Sequence, residues 1–121
     1  FTVANGPIVI VALTSICDTA NDTTASTLQY KATPTVGTGQ TISAASASLA
    51  SAAAGASVTL AGTALATAAL LNANGPNLIA NPGTIMVPPG TINIVVGVGS
   101  TTGTWTHYLR YKPLSVDATV S

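Results

Sequence analysis

Charged side chains are scarce in this sequence, and glutamate is missing altogether. Three basic and three acidic residues leave 5% of the chain charged and the formal net charge at zero, whereas a typical soluble domain is about 25% charged. No fixed charge lies between Lys31 and Arg110, so there is no basic surface that would neutralise a row of phosphates. The composition argues against nucleic acid as a partner.

Cysteine and long hydrophobic runs are also lacking. Cys17 is the only cysteine, which rules out a disulfide within the chain and leaves the redox compartment open. The long uncharged stretch after Lys31 is interrupted by proline and glycine and contains more Ser and Thr than Leu and Ile. A transmembrane helix needs about 20 mostly apolar residues in a row, so we predict no membrane span.

Small and hydroxyl-bearing residues are abundant in place of charged ones. Ala, Thr, Ser and Gly make up more than half of the chain, and much of the 47% hydrophobic fraction is Ala. One interpretation is a small β domain with a Thr/Ser-rich surface. The interpretation that we favour is a protein that spends its life assembled, because a surface this poor in charge resists self-association weakly and is suited to burial against neighbours.

The segment 88–113 has the clearest secondary-structure pattern. β-Branched and aromatic residues fill two runs of strand length, 91–98 and 104–113, and a Gly/Ser/Thr link lies between them. This pattern predicts a hairpin of two strands. The second run carries the only Trp, the only His and two of the three basic residues, so we expect it to be the centre of the domain.

Alternate side chains of a strand point to opposite faces, and the run 104–113 divides accordingly. The residues predicted to face a core are Trp105, His107, Leu109 and Tyr111. Those predicted to face solvent or a partner are Thr104, Thr106, Tyr108, Arg110 and Lys112. Because the aromatic residues are divided between the faces, core packing is favoured over a sugar-stacking platform.

The first third of the chain predicts extended structure with a break. Asn5-Gly6-Pro7 indicates either a tight hairpin or one strand kinked at the proline, which cannot donate to a central ladder. The apolar run 8–13 is typical of a strand covered on both faces, and residues 17–24 are predicted to form a polar loop. Residues 27–32 alternate as a strand. Its predicted inward residues are Leu28, Tyr30 and Ala32.

The Ala/Ser-rich middle of the chain is ambiguous. Residues 43–54 favour a helix by propensity, but they lack the large apolar residues of a helical stripe, and residues 57–60 alternate like a strand. We therefore predict a hairpin over residues 43–60. Residues 63–71 are predicted to be a short helix or a loop.

The remaining pattern completes an all-β assignment. Residues 74–77 and 81–83 predict turns, 84–87 a short strand, and 114–120 an added edge strand. The total is about eight short antiparallel strands. Their spacing is that of a single-domain β-sandwich, jelly roll or small barrel formed by residues 1–121.

Residues able to carry out chemistry are few. Cys17, His107 and one of Asp18, Asp22 or Asp117 would make a Cys–His–Asp set on paper. Catalysis needs hydrogen-bond geometry among them, and nothing local supports it. A lone inward His beside Trp and Tyr is most often structural, so no catalytic residue is predicted.

Ligand-binding motifs are equally weak. Asp18-x-Ala20-x-Asp22 has the spacing of the start of a calcium loop, but Ala20 interrupts the ligand pattern and no Gly or bidentate Glu follows. A zinc site lacks a second His or Cys, and the glycines at 97, 99 and 103 have the wrong spacing for a phosphate loop. Asn21-Asp22-Thr23 is a formal glycosylation acceptor. We predict no metal, no cofactor and no small-molecule substrate.

Four segments resemble those of small virion proteins of tailed bacteriophages. They are Phe1-Thr-Val, Pro88-Pro-Gly-Thr-Ile, Gly99-Ser-Thr-Thr-Gly and Trp105-x-x-x-Leu-Arg-Tyr-x-Pro-Leu-Ser. Within that group the chain resembles the head decoration, or cement, proteins with a jelly-roll fold. The resemblance spans most of the chain and depends on strand and turn patterns. It implies no catalytic residues.

The resemblance implies a non-enzymatic structural protein on the outer surface of the phage head. Such proteins lie there as dimers or trimers and clamp neighbouring major-capsid subunits, so the expected partners are the major capsid protein and copies of the chain itself. The alternative is a virion appendage component, either a head-fibre base or a module that binds a receptor or host glycan. The residues expected to contact partners are Tyr108, Arg110, Lys112 and Lys31.

Overall fold

The computed structural model describes residues 1–61, 67–75 and 85–121, and within those ranges the chain is all-β without a helix. The prediction of a β-sandwich is confirmed, because two antiparallel five-stranded sheets pack around a shared core. The described residues form ten strands, more than the eight or so predicted, and β2 is longer than its predicted run. Their bounds are β1 Thr2–Ala4, β2 Ile8–Thr19, β3 Leu28–Pro34, β4 Gln40–Thr41, β5 Ser57–Thr59, β6 Leu70–Asn72, β7 Ile85–Val87, β8 Gly90–Val96, β9 Thr104–Pro113 and β10 Thr119–Val120.

The first sheet has the strand order β10-β1-β8-β3-β4. The second sheet is built around β2. In the second sheet, β2 pairs with β9 along its whole length on one side and shares its other side between β5 and β7. β6 extends this sheet beyond β5. The pairing of β2 with β9 is the longest in the described fold.

An extra residue in β2 changes which of its side chains point inward. The register with β9 shifts between Ile10 and Ala12, so Val11 forms a β-bulge. Ile8 and Ile10 are fully buried before the bulge. The buried residues after it have the opposite parity and are Leu13, Ser15 and Cys17. The prediction that residues 8–13 are covered on both faces is wrong, because the alternate side chains are only half-buried.

The predicted alternation of β3 is confirmed. Leu28, Tyr30 and Ala32 are buried, and Tyr30 is the largest side chain without solvent exposure. It belongs to one apolar cluster with residues of both sheets, including Leu13 and Ile92. Full burial of an aliphatic side chain such as Leu13 or Ile92 stabilises a fold by about 1.5–3 kcal/mol.

The strands β8 and β9 form where predicted, but they do not pair with each other, so the hairpin prediction is wrong. β8 pairs with β1 and β3 in the first sheet, and β9 pairs with β2 in the second. The link 97–103 crosses between the sheets. Packed sheets lie about 10 Å apart, which a Gly/Ser/Thr-rich link of this length spans easily.

The first turn also crosses between the sheets. Asn5 has a φ of 60° and Gly6 a φ of 148°, and the strands on either side, β1 and β2, lie in different sheets. The turn therefore forms neither a tight hairpin nor a kink within one strand. The polar loop predicted for 17–24 begins later, because β2 continues to Thr19.

The Ala/Ser-rich middle is neither the predicted hairpin nor a helix. Residues 42–56 follow an irregular path between β4 and β5, which lie in different sheets. Serine side chains explain this path, because they replace a paired strand along the edge of β3. Ser43 Oγ accepts from Tyr30 N at 3.1 Å, and Ser46 Oγ accepts from Leu28 N at 3.1 Å.

The later strands agree with the predictions more closely. β7 and β10 confirm the strands predicted near residues 84–87 and 114–120, and β5 confirms the strand near Val58. β6 occupies the end of the segment predicted as helix or loop. Residues 62–66, residues 76 and 77 of the turn predicted at 74–77, and the turn predicted at 81–83 lie outside the described residues.

Candidate functional site

The predicted partner residues lie on two opposite surfaces. Tyr108, Arg110 and Lys112 project from the outer face of β9 and are exposed. Lys31 is exposed on the outer face of β3, in the other sheet. Because the core separates the two outer faces, one flat contact surface cannot include all four residues. The structure brings three of them together.

The outer face of β2 and β9, called here the β2–β9 outer face, has a basic end and an acidic end. Arg110 and Lys112 lie beside the first half of β2. At the far end, Asp18 Oδ2 accepts a hydrogen bond of 2.7 Å from Thr106 Oγ1. These three are the only Asp, Glu, Lys or Arg residues in the two strands. The charges are therefore few and segregated by sign.

Uncharged residues occupy the centre of the β2–β9 outer face. Tyr108 is 52% exposed and lies opposite Thr14, whose Oγ1 is 2.7 Å from Thr59 Oγ1. On the neighbouring β7, Met86 is 63% exposed. Exposed aromatic and thioether groups with Arg at the margin are the composition of a protein–protein contact.

A chain of hydrogen bonds beneath this face joins the two sheets. His107 Nδ1 lies 2.7 Å from Ser15 Oγ, which is 2.9 Å from Tyr30 Oη. Tyr30 Oη donates to the Val58 carbonyl at 2.9 Å. Because Tyr30 has one proton and gives it to Val58, Ser15 donates to Tyr30 and accepts from His107. The neutral imidazole therefore carries its proton on Nδ1, and Nε2 is left as an acceptor.

Burial favours the neutral form of both ends of this chain. Desolvation lowers the pKa of His107, an effect that Asp18 partly offsets and the N-terminal ammonium group reinforces. Desolvation likewise raises the pKa of Tyr30 to about 12, against a smaller opposing effect of the hydrogen bond with Ser15. The chain thus consists of uncharged groups at pH 7.

Sequence analysis did not identify Ser15. Its contact with His107 has the length expected of a nucleophile and its base, but Ser15 has no solvent exposure and already donates to Tyr30. The pair therefore serves as a polar link between the sheets. Ser15 could not be assigned to the core from sequence because of the bulge at Val11. Alternation counted from Ile8 without the bulge places Ser15 on the outer face.

The structure does not assemble the Cys–His–Asp set. Cys17 Sγ donates to the Thr19 carbonyl at 3.1 Å. The pKa of Cys17 is raised, mainly by burial, which is the opposite of the activation that a thiolate nucleophile needs. Asp18 and Asp22 accept hydrogen bonds from threonines, and Asp117 is exposed between β9 and β10.

Asp22 holds the link 97–103 against the loop after β2. Its Oδ2 accepts from Thr101 Oγ1 at 2.6 Å and from Thr101 N at 2.9 Å, and Oδ1 accepts from Thr24 N at 2.8 Å. Hydrogen bonds from Thr101 and Thr24 hold the pKa of Asp22 well below its ordinary range. This carboxylate fixes the crossover that delivers β9 to the second sheet.

The side chain of Asn21, the residue before Asp22, is buried and forms three hydrogen bonds. Its amide nitrogen donates to Ser26 Oγ at 3.2 Å and to the Leu49 carbonyl at 3.1 Å, while Oδ1 accepts from Trp105 Nε1 at 3.0 Å. With 7% exposure and its amide engaged, Asn21 has no room for a glycan in the folded chain.

Within residues 1–61, 67–75 and 85–121, no three His, Cys, Asp or Glu side chains come together as a metal site would require. In the same ranges, no helix has the length and hydropathy to span a membrane.

Comparisons with profiles of protein families, with curated proteins and with solved structures each found no match for this chain. Inference about function therefore depends on the fold and on the geometry of the β2–β9 outer face.

Proposed function

We propose that the chain is a non-enzymatic structural protein of a bacteriophage particle, a decoration protein that binds the outside of the major-capsid lattice and stabilises it. A resemblance and the observed fold support the proposal. Its strand and turn segments resemble those of head decoration proteins with a jelly-roll fold, and its fold is a small all-β sandwich. The observation that carries it is the β2–β9 outer face, which is almost uncharged and has its few charges segregated by sign.

A protein that covers a shell buries much of its surface against the shell and against its neighbours. Low charge favours such burial, because each buried charge without a partner is strongly destabilising. Arg110 and Lys112 supply the charge-assisted contacts, and the guanidinium of Arg110 can bind a carboxylate in bidentate fashion. The buried position of Ser15 and the raised pKa of Cys17 are consistent with a role without catalysis.

The first experiment measures the copy number of the chain in purified virions by quantitative mass spectrometry, relative to the major capsid protein. A decoration protein should be present in a fixed proportion to that protein. Purified chain added to particles that lack it should bind and should raise the temperature at which the heads open. A chain that is absent from virions and binds no particle at any concentration would reject the proposal.

The second experiment compares Arg110→Ala with Lys31→Ala. Removing one side of an interfacial charge pair weakens binding by about 2–5 kcal/mol, whereas losing an exposed charge changes folding stability by less than about 1 kcal/mol. Arg110→Ala should therefore reduce occupancy on particles, with little change in the melting temperature of the free protein measured at a low concentration, where the chain does not associate. Lys31→Ala removes an equal charge from the opposite surface and should leave occupancy unchanged. Full occupancy with a lowered melting temperature would mean that Arg110 serves the fold alone.

A virion appendage that binds receptor or host glycan is the second candidate. A pocket of about 290 Å³ favours it, since Trp105 lies in its wall together with the polar residues Asn21, Ser26 and Ser100. An aromatic ring beside polar groups suits a sugar. An appendage occupies few positions on a particle, so its copy number would be far below that of the major capsid protein. Glycan binding that is lost in Trp105→Ala would favour this candidate.

A further inference from the structure

β9 has one edge that no strand covers within the described part of the chain. On the other side of β2, the Leu13 carbonyl accepts from Leu60 and the Cys17 amide donates to Ala56. Alternate β2 residues, such as Thr14, therefore bond toward β9. By the same alternation, some β9 residues direct their N–H and C=O groups away from β2. These are Trp105, His107, Leu109 and Tyr111.

An uncovered edge of this length can pair with another strand. β9 runs for 10 residues without a bulge. Both register shifts between β2 and β9 come from an extra residue in β2. Natural edge strands avoid indiscriminate pairing by means of charged side chains, and β9 has two such side chains at one end, Arg110 and Lys112. The edge therefore selects a strand that offers neutral or acidic groups opposite that end.

We infer that the free edge of β9 binds the β9 of a second copy, as an antiparallel pair around a two-fold axis at Tyr108. In this register Tyr108 lies opposite its own copy, and Arg110 lies opposite Thr106. The outward-directed backbone groups of the two strands then meet, because odd-numbered residues lie opposite odd-numbered residues. The second sheets of the two copies become one continuous sheet.

The inward row of side chains is complementary in this register. Trp105 of each copy lies opposite Tyr111 of the other, and His107 lies opposite Leu109. Aromatic cross-strand pairs stabilise antiparallel sheets. All four side chains are only half-buried in the single chain, so pairing covers apolar surface that the sandwich leaves open at this edge.

The outward row is complementary in charge. Arg110 of one copy lies opposite Thr106 of the other, whose hydroxyl donates to Asp18 Oδ2 at 2.7 Å. The guanidinium group thus comes within reach of the Asp18 carboxylate of the second copy, and the two-fold axis makes this contact twice. An axis at Arg110 would instead bring two guanidinium groups together. An axis at His107 would separate Arg110 from Thr106 and Trp105 from Tyr111.

This pairing concerns the free protein and does not require the proposed function, although a dimer would suit attachment to a lattice. A wild-type monomer that nevertheless decorates particles would reject the pairing and leave the proposed function standing. A dimer of this geometry that binds no particle would support the pairing and reject the proposed function.

Cysteine cross-linking tests the register. Residues at a non-hydrogen-bonded position of an antiparallel pair have Cα atoms about 4.5 Å apart, which is within the range of a disulfide. Tyr108→Cys should therefore form a disulfide-linked dimer under mild oxidation, seen as a reducible band of twice the mass. Lys112→Cys is the control, because its two copies would lie about 27 Å apart. Cross-linking at position 112 without cross-linking at 108 would overturn the inference.

Charge exchange tests the contact between Arg110 and Asp18. In sedimentation equilibrium, Arg110→Asp should raise the dimer dissociation constant at least about a hundredfold, because two symmetric contacts become repulsive. Asp18→Arg should do the same, and the double variant should recover dimerisation. Lys31→Asp makes the same charge change on the other sheet and should have no effect.

The inference fails if the wild-type chain is a monomer at every concentration examined, or if the double variant does not recover dimerisation while remaining folded by circular dichroism. Should a single charge variant fail to fold, the cross-linking of Tyr108→Cys decides the matter.

Discussion

At the scale of single residues, Tyr30 is the point at which the two sheets share a buried polar contact. Its ring is fully buried in the first sheet, and its hydroxyl reaches Ser15 and the Val58 carbonyl of the second. A buried tyrosine hydroxyl is stable because it finds partners. In the described ranges, no buried side-chain nitrogen or oxygen lacks a hydrogen bond, so this chain is part of a fully satisfied interior.

We predict that Tyr30→Phe lowers the free energy of unfolding by about 1–3 kcal/mol, because Ser15 loses its acceptor inside the core. Chemical denaturation measures the change. Tyr108→Phe removes the same hydroxyl from an exposed position and should alter stability by less than about 0.5 kcal/mol. If the two variants lost equal stability, the link between the sheets would have no special energetic role.

The lowered pKa of His107 predicts a stability that falls in mild acid. The unfolded chain binds the proton more tightly than the folded protein, so this contribution is complete above the unfolded pKa near 6.5 and is lost as the pH falls toward the folded pKa. Denaturation from about pH 7.5 to 5 should show the decline, and His107→Gln should remove it. Asp22 titrates separately, since its pKa is lowered and its contribution to stability is lost in stronger acid, as the pH falls from around its ordinary value of 3.8 toward the folded pKa. A decline that persisted in His107→Gln would assign it to other groups.

At the scale of elements, the beginning of β8 allows no side chain. Gly90 has a φ of 151°, and a Cβ there would lie 2.6 Å from Pro34 Cα and would also clash with the Thr33 carbonyl. This close approach permits β8 to pair with β3 along its full length. Only glycine adopts this backbone without strain.

We therefore expect Gly90→Ala to destabilise the fold by at least about 2 kcal/mol, through both the backbone conformation and the clash. Gly99→Ala is the matched control, because nothing lies within 4 Å of its added Cβ, and it should change stability by less than about 0.5 kcal/mol. Thermal unfolding of the two variants side by side makes the comparison. Similar melting temperatures for both would contradict this account of the β3–β8 contact.

Elements formed where the sequence had period-two alternation, but their pairing could not be predicted from it. The burial of Tyr30 and the two faces of β9 follow from a local pattern and were predicted. The partner of β9 was not, because a Gly/Ser/Thr link suits a hairpin as well as a crossover. The hairpin predicted over residues 43–60 was wrong, because serines in this segment form hydrogen bonds with β3, which a local pattern does not reveal.

The candidate site was predictable to a similar degree. The outward positions of Tyr108, Arg110 and Lys112 come from alternation along one strand. Asp18 was considered only for catalytic and calcium chemistry, and Ser15 was missed, because each forms its contact with β9, a strand far away in sequence. Alternation also gave no indication that Lys31 belongs to the other sheet, which only the pairing of β3 with β8 reveals.

At the scale of the whole molecule, dimerisation through β9 predicts a stability that depends on protein concentration. Association stabilises the folded state by mass action, so the melting temperature of the wild-type chain should rise over a hundredfold concentration series. Arg110→Asp should flatten this dependence. Differential scanning fluorimetry measures both, and a wild-type melting temperature independent of concentration would speak against a dimer.

The β2–β9 pair also determines how the chain must fold. It joins residues near the start of the sequence to residues near its end, since Ile8 pairs with Pro113 and Thr19 with Thr104. Proteins dominated by such non-local pairs fold in milliseconds to seconds, far more slowly than helical bundles. During synthesis the second sheet cannot close until β9 has left the ribosome, and until then one side of the apolar strand β2 stays open to other nascent chains. The rate of translation over the last third of the chain thus sets how long β2 is exposed to aggregation.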